Sequence, residues 1–241
     1  MFGITDTLSG HLEYTTNEWN TSGYYLKVRE FLKNFGIKNF IDIGSCSGVV
    51  SDILLEDIPT LKKSILVEAM PENFQFISNR IDSDDRRLVI NKAIFYNKER
   101  INLGRVRNNV GGWSYQSSDD SVSIETSSIE KIIDDYSYFI GDSIDFIKID
   151  VEGAEYNIIE NSDILKNVPL LEIEFHPNEE YGMNYLNGKK FLNDSWGPFI
   201  DKFLPNHSLV FGGKNESVIW PNGESVIYDG SAFFVLKDLI K

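Results

Sequence analysis

Two runs of the chain place ionisable side chains where chemistry can use them. In "FIKIDVEGAEYNIIE", Phe146 to Glu160, the acids Asp150, Glu152 and Glu155 crowd one turn after an apolar run. Like charges packed this closely raise one another's pKa, which is costly unless a ligand or a proton-transfer role compensates. For Glu155, a solvated acidic turn favoured by a helix dipole is an equal alternative. In "LLEIEFH" a period of two sets Glu172, Glu174 and His176 on one face and Leu171, Ile173 and Phe175 on the other. A histidine here can take the proton of a reacting hydroxyl, with Asp150 or Glu174 as its orienting partner. The competing reading is a strand-end histidine that merely bonds a neighbour. Asp150, Glu174 and His176 also have the donor types of a divalent-ion site that would acidify a diol.

A third stretch, "FIDIGSCSG", ends an apolar run with Asp42 and a turn containing Gly44 and Gly48. Small residues at such a strand-to-helix turn let a nucleotide-like ligand approach the backbone and the helix N–H groups. Twenty residues past Gly48, Glu68 closes the next apolar run, where an acid can accept from both ribose hydroxyls. Together these describe a nucleoside site. Cys46 stands inside the turn; a small residue in a tight loop explains it better than a thiol beside the ligand.

These residues need elements to hold them on one rim. Apolar spacing predicts a helix over "GYYLKVREFLKNFG", a strand at "NFIDIG", a helix at "VVSDILLED", a strand at "SILVEA", a helix at "PENFQFISNRI" and a third strand at "LVINKAI". Residues 97–126 read as an irregular loop with a short strand excursion ending in "SVSIET". A helix at "SSIEKIIDDY" follows, capped by Ser127 or Ser128, then a strand at "IDFIKID", a helix at "AEYNIIEN" and a strand at "LLEIEFH". "FLNDSWGPFIDKFL" is partly helical and interrupted by Gly197 and Pro198. "SLVFG", a hairpin around Asn222-Gly223 and a strand at "AFFVLKDL" close the chain. Such alternation predicts an α/β fold: a mainly parallel sheet, helices on both faces and an antiparallel edge strand. Ligands then bind beyond the carboxyl ends of the strands.

The 241 residues suit one large domain, here residues 39–241, preceded by a helical, aromatic-rich cap segment over residues 1–38. No stretch approaches the roughly 18 to 20 apolar residues of a membrane helix, and the N-terminus lacks a signal-like basic start, which predicts a cytoplasmic protein without membrane insertion. A single cysteine excludes an internal disulfide. The net charge of −14 opposes nucleic acid as a partner. Arg105 and Arg107 are candidates to hold a phosphate, Trp113 and Tyr115 offer aromatic faces to a ligand or to the core, and Glu152 stands on the rim.

"IDIGSCSG", "VEAMPENFQFISNRI", "NKAI" and above all "IDFIKIDVEGAEYNIIENSDIL" followed by "PLLEIEFH" resemble the FkbM-type S-adenosylmethionine-dependent methyltransferases, over about Asn39 to His176. That resemblance implies a Rossmann-like, seven-stranded class I fold and methyl transfer to oxygen, on sugars or polyketide-type natural products. It implies a cofactor loop of Asp42, Gly44, Ser45, Cys46 and Gly48, with Glu68 as ribose acid. Ala69 and Met70 lie beside the adenine, Lys92 and Ala93 where the third strand passes the base, and Asp150 on the same rim. The chain departs from the family where Ser45-Cys46 replaces Ala-Asn and where "AMPEN" lacks the proline that usually follows the ribose acid. The expected acceptor is a sugar, nucleotide-linked or part of a surface polysaccharide or glycolipid. An NAD-dependent oxidoreductase is the rival enzyme. The turn lacks the middle glycine of Gly-x-Gly-x-x-Gly, and the only Tyr-x-x-x-Lys, Tyr185 to Lys189, is broken by Asn187-Gly188. A non-catalytic cofactor-binding module is the other alternative.

Overall fold

Strands whose two faces are both covered need apolar residues at nearly every position, and the central runs of this chain meet that demand. The computed structural model describes residues 7–81, 83–105, 113–114, 121–141, 143–176, 178, 180, 196–212, 216–219, 225–228 and 230–240. The chain opens with α1 (Leu8–Thr21) and α2 (Gly23–Phe35). Gly36 ends α2 in the left-handed conformation, φ 76°, returning its N–H to Leu32. Then come β1 (Asn39–Ile43), α3 (Val49–Asp57), β2 (Lys63–Val67), α4 (Pro71–Ile81) and β3 (Arg87–Ile90). Next are β4 (Ala93–Ile94), β5 (Arg100–Arg105), β6 (Trp113–Ser114), β7 (Val122–Ser127), α5 (Ile129–Asp135) and α6 (Ser137–Ile140). Ser128, the second of the two expected caps, starts α5 by accepting from the Lys131 N–H. The chain closes with β8 (Phe146–Ile149), α7 (Glu155–Asn161), β9 (Leu170–Glu174), α8 (Trp196–Phe203), β10 (His207–Gly212), β11 (Glu216–Ile219), β12 (Ser225–Tyr228) and β13 (Ser231–Leu236).

The main sheet has seven strands in the order β10-β13-β9-β8-β1-β2-β3, parallel except for β13. The expected antiparallel strand is thus present, one place in from the edge. After the hairpin β11–β12, the chain returns as β13 and slots between β9 and β10. The hairpin matches the sequence expectation, although its Asn222-Gly223 turn lies outside the described residues.

Three expectations need correction. The third strand stops at Ile90, because the Asn91 side chain donates to the carbonyls of Glu68 and Ala69, at 2.9 Å each, and the chain leaves the sheet there. The described residues of 97–126 hold more than one strand excursion: with β4 they build a second sheet, β4-β7-β5-β6, whose apolar side includes Ile101, Leu103 and Ile124. Trp196–Phe203 is one uninterrupted helix, since Pro198 falls in its first turn, where its missing N–H costs nothing.

One face of the main sheet packs Phe40, Phe146, Leu170 and Phe233 against Trp19, Tyr25, Val28 and Leu32 of the N-terminal helices. The other packs Ile41, Ile147 and Ile173 against Ile132, Tyr156 and Ile158. Each such burial stabilises by about 1.5–3 kcal/mol. Towards the carboxyl ends, the first face turns polar. Asp42, Lys148 and Glu172 lie side by side in register on β1, β8 and β9, all buried. Among the described residues no helix is long and apolar enough to cross a membrane.

Candidate functional site

The β1–β2 half of the rim is built from backbone. Gly44 has φ 84°, and a Cβ added there would lie 1.7 Å from the Asp150 carbonyl oxygen, so only glycine lets the two strand ends meet. Gly48, φ 73°, starts α3 with Ile77, Leu66 and Arg80 packed around its Cα. Cys46 also takes a positive φ, 48°, a conformation that, among residues with a side chain, asparagine and aspartate adopt most readily. Its N–H donates to Glu68 Oε2 at 2.7 Å, and the Met70 N–H donates to Oε1 at 2.8 Å. Burial pushes Glu68 up to about 7 even though these bonds, and one from Asn73, favour its charged form. Burial also pushes the Cys46 thiol well up, with Glu68 adding to it, so no thiolate stands in the loop. Ser45 Oγ donates to the Asp42 carbonyl at 2.8 Å. Met70 and Ala93 share an apolar cluster with Phe95 and Ala154, beside Ala69.

The β8–β9 half is built from side chains. Asp42 is buried with neither carboxylate oxygen hydrogen-bonded; burial raises it to about 6 against the pull of the Lys148 ammonium. Lys148 donates to Asp150 Oδ2 at 2.9 Å. Burial alone would lower the Lys148 pKa, but Asp150, Glu172, Asp42 and Glu174 raise it. Burial works to raise Asp150, yet Lys148 and His176 hold it below the usual range. Burial pushes Glu174 well up, as does Asp150. Glu172 rises to about 7 for the same first reason, with Lys148 and the Ser231 hydroxyl pulling the other way; Tyr24 Oη donates to its Oε1 at 3.4 Å, while Oε2 has no partner within hydrogen-bond distance.

His176 lies just beyond β9, buried, with Nδ1 2.7 Å from Glu155 Oε1 and Nε2 3.7 Å from Glu152 and 3.8 Å from Glu174. The imidazole therefore hydrogen-bonds Glu155, and not Asp150 or Glu174 as the sequence led one to expect. The cause is the turn after β8. Glu152 (φ 52°) and Gly153 (φ 106°) fold back so that the fully buried Glu155 carboxylate accepts the N–H groups of Val151 and Gly153 as well as the imidazole. Burial would lower the His176 pKa, but Glu152, Glu155 and Glu174 raise it well above the usual value. The nearest ligand atoms of Asp150, Glu174 and His176 all lie within 4.8 Å of one another.

The N-terminal helices reach this rim. His11 on α1 meets Ser47 of the glycine turn, Nδ1 to Oγ 3.1 Å. Burial lowers its pKa, opposed by Asp150. His11, Lys148 and Tyr24 were not singled out from the sequence. A lysine inside a buried parallel strand was a usable signal for Lys148; nothing in "SGHLEY" marks His11. The structure brings Asp42, Gly44, Ser45, Cys46, Gly48 and Glu68 together, and Asp150, Glu152, Glu174 and His176 beside them. Lys92 ion-pairs with Glu125 on β7. Arg107 and Tyr115 lie outside the described residues, and Arg105 and Trp113 are described only as positions on β5 and β6.

A family model described as a methyltransferase FkbM domain matches residues 42–208. No curated protein matches the chain. Similar solved structures include methyltransferase FkbM from Methylobacillus flagellatus KT, 16% identical, with a TM-score of 0.48, covering 83% of this chain and 44% of that one. This chain therefore spans less than half the length of that protein. Another is an O-methyltransferase from Bacillus cereus in complex with SAH, 14% identical, TM-score 0.46, covering 94% and 89% of the two chains. A third is a putative RNA methyltransferase from Pyrococcus horikoshii, 12% identical, TM-score 0.46, covering 87% and 81%.

Proposed function

The chain belongs to the methyltransferase FkbM family of S-adenosylmethionine-dependent enzymes, and from that premise we propose that it methylates a hydroxyl oxygen of a sugar, free, nucleotide-linked or in a surface polysaccharide or glycolipid. The residues present fit the cofactor. The unpartnered Asp42 oxygens await a donor, the bare turn from Gly44 to Gly48 leaves the backbone open, and Glu68 ends β2 beside the apolar wall of Met70 and Ala93. Glu68 would take the ribose hydroxyls, Asp42 and the turn the amino-acid end. When bound, S-adenosylmethionine supplies an electrophilic methyl group.

The observation that carries the oxygen assignment is the Glu155–His176 pair. Glu155 occupies Nδ1, so Nε2 is the ring nitrogen turned to the rim between Glu152 and Glu174. A neutral imidazole there accepts the hydroxyl proton as the new bond forms. The carboxylates around it favour the imidazolium, so His176 must shed a proton before it can act. Glu152 and Glu174, both partly exposed, can accept from neighbouring hydroxyls and so favour a polyol over a phosphodiester. The chain's charge of −14 argues the same way against nucleic acid.

A second reading uses the same atoms. The 4.8 Å grouping of Asp150, Glu174 and His176 suits a divalent ion that lowers the pKa of a bound hydroxyl. One assay addresses both: S-adenosylhomocysteine release with nucleotide sugars, oligosaccharides, polyketide-type phenols and transfer RNA as acceptors, with and without chelator. Methylation of a sugar oxygen that survives chelation supports the first reading. Chelator-sensitive turnover supports the second, and turnover on RNA alone would overturn the acceptor assignment.

A further inference from the structure

The polar row on the sheet face beneath α1 and α2 holds more carboxyl groups than its surroundings can keep ionised. Asp42, Asp150, Glu172 and Glu174 project from three neighbouring strand ends, with Lys148 set among them and His176, bonded to Glu155, 3.8 Å from Glu174 at their edge. Acidic residues alone would mean little. Here both oxygens of Asp42 and Oε2 of Glu172 are also buried without a hydrogen-bond partner. A buried carboxylate left in that condition is expensive, and a cationic ligand is what relieves it.

We propose that this row makes the site selective for charge: it holds a cofactor bearing a sulfonium or ammonium centre more tightly than the neutral thioether left after methyl transfer, and Glu172 is a specificity-determining residue for that difference. The inference rests on the methyltransferase reading of the same site. Transfer breaks the S–CH3 bond, whose electron pair stays on sulfur, and forms the O–CH3 bond as the hydroxyl proton leaves to His176. The cofactor thereby loses one positive charge. The row then has one positive charge fewer to hold, so product leaves more readily than substrate.

The test compares sinefungin, in which a CH–NH3+ group replaces the S+–CH3 group, with S-adenosylhomocysteine by titration calorimetry on the full chain. We expect sinefungin to bind at least tenfold more tightly, about 1.4 kcal/mol. Glu172→Gln keeps the side chain's size and an oxygen for Tyr24, and should cut that preference at least threefold while S-adenosylhomocysteine affinity stays within twofold. A merely structural Glu172 would weaken both ligands alike. Glu172→Ala supplies the same comparison should the first variant fail to fold. Equal affinities in the wild type, or an unchanged ratio in both variants, overturn the proposal but leave the methyltransferase reading standing. Failure of both ligands to bind the wild type removes that reading, and this one with it.

Discussion

The two halves of the rim are made in different ways. From Gly44 to Met70, geometry is set by main chain. A carbonyl stands where a Cβ would be, three residues have positive φ, and a carboxylate is pinned by two N–H groups. From Lys148 to His176 it is set by charge, with carboxylates and two cations holding one another across three strands. The first kind of construction tolerates almost no change of shape and is insensitive to pH apart from Glu68. The second tolerates isosteric change but responds to every proton. A site of this sort can keep binding separate from chemistry.

Substitutions should break along that line. His176→Gln, in the charged half, should lower turnover by about 10²–10⁴ while S-adenosylhomocysteine affinity, by calorimetry, stays within about threefold. Full turnover would remove His176 as base. Gly44→Ala, in the backbone half, should do the reverse of a selective change. It forces β1 and β8 apart, costs about 2–4 kcal/mol and lowers the melting temperature by roughly 5–15 °C, with cofactor binding lost. A wild-type melting curve for that variant would mean the strand ends are not in contact.

The halves also differ in their response to pH. Because His176 is raised well above the ordinary imidazole value, turnover should climb as pH rises beyond neutrality, with its acid limb displaced to the alkaline side. An acid limb at or below pH 6.5 would contradict the carboxylate cage. Stability should move oppositely. Asp42 at about 6 and Glu172 at about 7 hold protons in the folded state that the unfolded chain has released, so their contribution is full below about pH 4 and is lost as pH rises through 6 to 7. The ligand-free protein should therefore melt several degrees lower at pH 8 than at pH 5.5. Asp42→Asn should flatten that fall, and an unchanged slope would show that Asp42 carries none of it. The smallest effect belongs to the helix that joins the halves. His11→Ala removes one contact to Ser47 and should weaken S-adenosylhomocysteine about two- to fivefold, whereas no change would leave α1 without a part in the site.

Legibility in the sequence followed the same division. The turn from Gly44 to Gly48, Glu68 and the alternation of strands and helices could be read because each depends on residues close in sequence or on a regular period. The second sheet could not. β4 is two residues long and pairs with β7, some thirty positions on, and such pairing leaves no local period in "NKAIFYNK". The roles within the charged half were likewise hidden. Asp150, Glu152, Glu174 and His176 were visible as types, but that Glu155 and not Asp150 orients the imidazole depends on two positive φ angles, one at a glutamate. Composition does not announce that conformation.

The central claim is that the backbone half forms a nucleoside site with Glu68 as its ribose acid. The most direct test is titration of S-adenosylhomocysteine into the wild type and into Glu68→Gln. One site per chain in the wild type, weakened at least tenfold in the variant, is the predicted result. No binding by the wild type, or equal binding by both, would contradict it.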